Sequence, residues 1–208
     1  MKCALDKAFA IKDHVEMKYF LGIEVARNER GIMLNQRNFI IDILNITGND
    51  GCKPTKCPFS NGIKQYLDEG EVLDDVELYR SIIGKLLYLN LSTPDISYSV
   101  QQLSQFMAKP RKPHFQAVIH VIKYLSGTIN QGLIYPTNSD LKLTCFCDSD
   151  WGNCAFSARS LTGYCVFLGN SLKSWKTKKH KLFQRLSRKQ NTSICPKQPM
   201  SWFGLKAC

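Results

Sequence analysis

Leu141-Lys142-Leu143-Thr144-Cys145-Phe146-Cys147-Asp148-Ser149-Asp150-Trp151 decides how this 208-residue chain is read. Leu141, Leu143, Cys145 and Cys147 alternate with Lys142, Thr144, Phe146 and Asp148, the period-two pattern of a half-buried strand. The strand closes on Asp148 and Asp150, spaced i, i+2, which an extended backbone carries on one face. Carboxylates at a strand end can hold a divalent metal against a phosphate. Asp and Ser also serve strand-end turns by satisfying local backbone groups, and the stretch alone leaves both readings open.

Downstream, Thr162 to Leu168 and Ser171 to Lys176 flank Gly169-Asn170, a strong hairpin turn, so a three-stranded antiparallel meander is predicted. Upstream lie three amphipathic helices. Glu77 to Leu91 carries a stripe of Leu78, Ile82, Leu86 and Leu89. The next starts at Pro94, with Asp95 in the first turn where the helix dipole favours an acid, and turns Ile96, Val100, Leu103 and Met107 inward until Pro110. The third starts at Pro113, points Ala117, Val121, Ile122 and Leu125 inward, and stops at Gly127. His114 and His120 on it suit a surface role or a satisfied core hydrogen bond better than catalysis. Short connections favour a compact bundle.

Earlier still, the β-rich run Met17 to Ala26, turn chemistry at Asn28-Glu29-Arg30-Gly31, and Ile32-Met33-Leu34 predict a hairpin. Phe39, Ile40, Ile43, Leu44 and Ile46 follow at helical spacing up to Gly48. Gly51 to Asp75 reads as a long connecting loop. The fold class is therefore α+β: a β-hairpin and a three-helix bundle, then an antiparallel sheet.

Hydrophobic content of 44% with 22% charge is that of an ordinary globular chain. No apolar run approaches a membrane span and Met1-Lys2-Cys3-Ala4-Leu5 opens no signal peptide, so a cytoplasmic or nuclear protein, not secreted and not membrane-bound, is expected. Nine cysteines then imply reduced thiols, and neither Cys52 with Cys57 nor Cys145 with Cys147 has the partners of a zinc site. The net charge of +11 is local: ten Lys/Arg and no acid lie from Ser171 to Cys208, leaving 18 basic against 17 acidic residues before them.

The order of motifs resembles the Pol polyprotein of copia-type LTR retrotransposons, from the end of reverse transcriptase into ribonuclease H. The matching stretches are Lys18 to Val25, Gly51-Cys52-Lys53-Pro54, Tyr79 to Leu89, Thr93-Pro94-Asp95-Ile96, His114 to Leu125, and Cys147-Asp148-Ser149-Asp150-Trp151 running into Arg159 to Tyr164. They stand in family order over roughly Asp13 to Lys181. The resemblance implies that residues 1–129 are the reverse-transcriptase end with a thumb-like bundle, and that 130–181 are the first strands of a ribonuclease H-like fold.

It also implies roles. Phe20-Leu21-Gly22 would be the primer grip, with Gly22 letting backbone approach a nucleic-acid strand. Ile83-Gly84-Lys85-Leu86 would lie in the minor groove of the template–primer, Gly84 allowing close approach and Lys85 neutralising phosphate. Asp148 would be the first of four ribonuclease H acids that hold Mg²⁺ for cutting the RNA of an RNA–DNA hybrid, with Asp150 its less certain neighbour and Trp151 a packing residue. The implied partners are the hybrid or template–primer and the remainder of the Pol polyprotein.

Two parts of the family pattern are missing. No Tyr-x-Asp-Asp occurs, and Asp74-Asp75 lacks the preceding aromatic and strand. After Lys181 the Ala-Glu-Tyr helix of ribonuclease H is absent. Back-translation of Lys181 to Cys208 with suitable synonymous codons, read one nucleotide earlier, restores Thr-Val-Ser, Ala-Glu-Tyr and Glu-Leu-Val-Trp-Leu-Lys-Gly-Leu, with the Glu codon straddling Gln190 and Asn191. Residues 182–208 are thus expected to be an irregular out-of-frame tail, and the sheet to be left partly uncovered. The function expected is a Pol fragment inactive in polymerisation and in hydrolysis; the alternative is a non-catalytic module that binds an RNA–DNA hybrid.

Overall fold

Two tight turns fold residues 19–35 back on themselves twice. β1 (Tyr19–Phe20) and β2 (Ile23–Asn28) meet around Leu21-Gly22, and β2 meets β3 (Gly31–Asn35) around Glu29-Arg30. The computed structural model describes residues 17–59, 70–150 and 161–179, with backbone alone at 148–150, 161–162 and 178–179. The second turn is the one predicted: Asn28 Oδ1 accepts from the N–H groups of Arg30 (2.9 Å) and Gly31 (3.1 Å). The first divides the expected single strand from Met17 to Ala26.

α1 (Arg37–Ile46) follows. Its N-cap, Gln36, makes no capping bond; Glu24 on β2 instead accepts the Asn38 N–H at 3.1 Å, placing a carboxylate at the positive end of the helix. Ile40, Ile43 and Leu44 face the core, whereas Ile46 is exposed. The helix ends in a Schellman pair, Asn49 N–H to Leu44 O (2.9 Å) and Gly48 N–H to Asn45 O (3.1 Å). The described ends of the long connection are pinned rather than free. Thr55 N–H bonds Lys123 O, and Leu73 N–H bonds Pro110 O.

α2 (Val76–Leu89) is capped by Asp75, whose side chain accepts from Leu78 N–H at 2.8 Å. It buries Tyr79, Ile82, Ile83, Leu86 and Leu89, a broader face than the stripe of four, while Leu78 is half-buried. The second predicted helix is interrupted: a 3₁₀ turn (Pro94–Ile96), α3 (Ser97–Leu103) and another 3₁₀ turn (Ser104–Phe106). Tightening to three residues per turn moves the inward direction from Met107, which is exposed, to Phe106, which is buried. α4 (Lys112–Gly127) buries Ala117, Val118, Val121, Ile122 and Leu125. His114 is wholly buried, accepts the Arg111 N–H at 3.1 Å and stacks on Phe106 with centroids 3.8 Å apart. Of the two roles left open for it, surface or satisfied core, it takes the second. α1 packs on α2 and α4, so the three-helix core acquires a fourth helix. Each wholly buried Leu or Ile here contributes about 1.5–3 kcal/mol.

β4 (Leu133–Pro136) departs from expectation. The resemblance puts residues 130–181 in the second part of the chain, whereas β4 pairs antiparallel with β3, from Leu34↔Leu133 to Gly31↔Pro136, closing a sheet of order β1-β2-β3-β4. The change of sheet therefore falls between Pro136 and Leu143. The edge position suits Pro136, which has no N–H to offer a further strand.

β5 (Leu143–Asp150), β6 (Leu161–Leu168) and β7 (Ser171–Lys179) form the predicted antiparallel meander, with Gly169-Asn170 at its second turn and an irregularity between Val166 and Phe167. The sheet is left partly uncovered, as expected. Leu141 (86% exposed), Leu143 (66%) and Cys147 face solvent, while Thr144, Cys145 and Phe146 are half-buried. Alternation identifies residues that share a face but not which face is covered. Among the described residues of this sheet, burial is confined to Ser171 and Leu172, where β7 meets α3. Lys173 on β7 lies over the Tyr135 ring of β4 at 4.4 Å, joining the two sheets. The architecture is α+β. Met1 to Glu16, the segment with Trp151, and the tail after Lys181 fall outside the described residues.

Candidate functional site

The exposed end of the β1–β2 hairpin and the outer face of α2 form one surface. At the hairpin tip Leu21 and Gly22 have φ of +48° and +77°, the pair of positive values that defines a type I′ turn. Glycine adopts this freely, but a leucine there costs about 1–2 kcal/mol. The tip is also apolar and unshielded, with Phe20 55% and Leu21 69% exposed. Single exposed apolar residues are common; two adjacent ones on a strained turn point to a contact surface.

The tip leans on α2. The Tyr88 hydroxyl donates to the Leu21 carbonyl, and a Cβ at Gly22 would stand 3.6 Å from the Tyr88 ring. Tyr88 meets Phe39 edge to face at 5.2 Å, and the Lys85 ammonium lies 5.6 Å from the centroid of Phe39. A cation over a ring at such a site contributes about 0.5–1 kcal/mol.

On α2, Gly84 is exposed, and a Cβ added to it would meet nothing within 4 Å. Leu87 is exposed on the same helix, and Leu91 in the turn that follows it. Ile83 and Leu86, assigned with Gly84 and Lys85 to the groove-facing stretch, are instead wholly buried core residues. The helical repeat forces this: positions 82, 83, 86 and 89 already form the inner face, so 84, 87 and 88 lie towards the outer. Phe20, Leu21, Gly22, Gly84 and Lys85 thus share one region of the surface. Tyr88 and Phe39, which connect them, were missed by sequence reading, although Tyr88 stands four residues from Gly84.

Asp148 and Asp150 lie elsewhere, within β5, their Cα atoms opposite Gly163 and Leu161. Their side chains fall outside the described residues. Among the described residues no three His, Cys, Asp or Glu side chains gather as a metal site. Asp148 and Asp150, to which the resemblance gives Mg²⁺, stand two residues apart on this one strand.

A second polar constellation lies between the second helical segment and α4. Tyr124 donates its hydroxyl to Asp95 Oδ2, while Ser99 Oγ is buried with no hydrogen-bond partner among the described residues. Burial raises the Asp95 carboxyl above its usual range, against the opposing hydrogen bond from Tyr124. Burial, and then the bond to Asp95, pushes the Tyr124 phenol up. The acid expected to serve the helix dipole is therefore tied to the next helix. His120 Nε2 lies 3.1 Å from Cys57 O, holding α4 to the connecting loop. Among the described residues no helix is long and apolar enough to cross a membrane.

No protein-family model matches the chain, and no solved structure matches it. Curated proteins do. The chain is 41% identical over 177 residues to the retrovirus-related Pol polyprotein from transposon RE1 of Arabidopsis thaliana, covering 85% of this chain and 12% of that one. It is 38% identical over 183 residues to an uncharacterized mitochondrial protein of Arabidopsis thaliana, covering 88% of this chain and 76% of the relative. It is 32% identical over 183 residues to the putative transposon Ty5-1 protein of Saccharomyces cerevisiae, covering 87% and 59%. The chain spans about an eighth of the RE1 polyprotein, at 12%. With matches of this identity over most of its length, the chain belongs to the retrovirus-related Pol polyproteins of copia-type transposons.

Proposed function

We propose that this chain is the Pol segment that joins the end of reverse transcriptase to the start of ribonuclease H, and that it grips an RNA–DNA hybrid or template–primer without polymerising or cutting it. The observation that supports this reading is the shared surface of the hairpin tip and the outer face of α2. An apolar tip carrying Phe20 and Leu21, an open helix face at Gly84 and the Lys85 ammonium together suit a sugar–phosphate surface read by shape. The meander β5–β7, carrying Asp148 and Asp150, suits the opening of a ribonuclease H-like fold. These 208 residues contain no Tyr-x-Asp-Asp pair, and in ribonuclease H context only Asp148, with Asp150 beside it, in place of four acids. Neither reaction is expected of them alone. Residues 182–208 are an out-of-frame continuation of that domain, and the cysteines are reduced in the cytosol or nucleus. The rest of the Pol polyprotein supplies the missing acids in intact relatives.

Fluorescence anisotropy with a labelled RNA–DNA hybrid tests the reading. Binding at low salt should weaken linearly in log–log form as salt rises, and Lys85→Ala should flatten that slope by about one counterion. Truncation after Lys181 should leave binding intact. No binding at low salt rejects the gripping role. RNA cleavage with Mg²⁺ that disappears in Asp148→Asn rejects the inactive assignment.

A further inference from the structure

We propose that Tyr88 is a positioning residue: its hydroxyl locks the strained Leu21-Gly22 turn onto α2, so that the hairpin tip and the helix face meet a nucleic acid as one rigid surface. The inference rests on the hybrid-gripping reading above and adds to it the part that makes the grip stiff. β1 has only two residues, Tyr19 and Phe20, at the edge of its sheet, so few ladder bonds hold the turn that joins it to β2. Its turn places Leu21 at a positive φ that leucine avoids, so the turn needs an external restraint. Tyr88 supplies one through the Leu21 carbonyl. The ring that carries the hydroxyl is itself fixed edge-on against Phe39 on α1. Gly22 beside the ring leaves room for this approach. Three elements that the chain order keeps apart therefore meet at one phenol: hairpin, α1 and α2. Their meeting point lies between the two groups of residues assigned to nucleic acid, Phe20 with Leu21 and Gly84 with Lys85.

Tyr88→Phe in the full chain tests this, because it keeps the ring and removes only the hydroxyl. Two quantities are read: hydrogen exchange of the hairpin amides, Val25 N–H bonded to Lys18 O among them, and the Kd for a labelled RNA–DNA hybrid. Hairpin exchange should quicken about five- to tenfold, with the amides of α1 and α4 unchanged, and Kd should rise by a similar factor, as loss of one hydrogen bond allows. Leu21→Asn placed in the Tyr88→Phe background should restore slow hairpin exchange, since Asn-Gly adopts the type I′ turn unaided. A merely structural tyrosine would not be rescued in this way. Unchanged exchange, unchanged Kd despite faster exchange, or no rescue by Leu21→Asn would each overturn the role. Failure of the parent chain to bind hybrid at all, seen before any variant is made, would reject the gripping reading, while the exchange measurements would still report on the lock.

Discussion

The hydroxyl of Tyr79, on the wholly buried face of α2, donates to the backbone carbonyl of Leu103 at the end of α3, 2.8 Å away. The bond fixes the angle between two helices at the point where α3 gives way to a 3₁₀ turn. Tyr79→Phe would remove that bond from the core, while the Leu103 carbonyl keeps its partner in the 3₁₀ turn, and should cost about 0.5–1.5 kcal/mol in denaturant unfolding. Burial also pushes the phenol far up. Above the usual tyrosine pKa of about 10 the unfolded chain releases the proton while the folded one retains it, so native stability falls as pH rises past that point. Tyr79→Phe should lose less stability between pH 9 and pH 11 than the parent does. An equal loss in both would show that Tyr79 does not govern the alkaline limb.

Asp95 sets a demand of the same sign, but at low pH. From the ordinary value of 3.8 up to its raised folded value, the native state holds the proton and the unfolded state does not. The contribution of Asp95 is thus fully present below 3.8 and is lost as pH rises through that window. Asp95→Asn can still accept from Tyr124 and has no charge to desolvate. The difference in stability between variant and parent should move in favour of the variant as pH rises from 4 to 7, by urea unfolding at each pH. A difference that stays flat with pH would count against a raised carboxyl.

At the β6–β7 turn, Gly169 has φ of +56°, and a Cβ there would stand 2.1 Å from the backbone oxygen of Asp140. Its N–H also bonds Lys142 O at 2.8 Å, and the Asn170 N–H bonds Ser139 Oγ at 2.9 Å. Gly169→Ala must accept a left-handed alanine and push away the segment before β5. The first alone costs about 1–2 kcal/mol, so a total above about 2 kcal/mol is expected. Hydrogen exchange should localise the damage to β5–β7. A loss under about 0.5 kcal/mol would show that the segment gives way freely.

Local chemistry made much of this legible. Helical spacing at Ile82, Leu86 and Leu89 and turn residues at Asn28 to Gly31 and Gly169-Asn170 all follow from neighbours a few residues apart. What escaped depends on distant partners. Leu133–Pro136 has the composition of a strand, but nothing within it names β3 as its neighbour. The Leu21-Gly22 turn lacks the Asn or Asp that would mark it, because Tyr88 stabilises it from outside. Phe106 and Met107 exchange places through a local tightening of the helix. The five residues assigned to nucleic acid were read from motifs, and the contacts of Tyr88 that connect them become visible only once hairpin and helix meet.

Gly84 offers the clearest separation of stability from binding. It sits mid-helix, exposed, with open space where a Cβ would go, so nothing in the isolated chain calls for glycine. In such a position glycine costs about 0.5–1 kcal/mol relative to alanine. Gly84→Ala should therefore raise the unfolding free energy by about that amount. If a hybrid lies against α2, the added methyl occupies the space its backbone would use, and affinity should fall although the protein is more stable. The two measurements, urea unfolding and hybrid anisotropy, would then move in opposite directions. A gain in both would place the nucleic acid away from this face of α2. A loss of stability would mean that the helix around Gly84 is not the regular one described. Only the opposed pair of changes marks Gly84 as a residue kept for what approaches it.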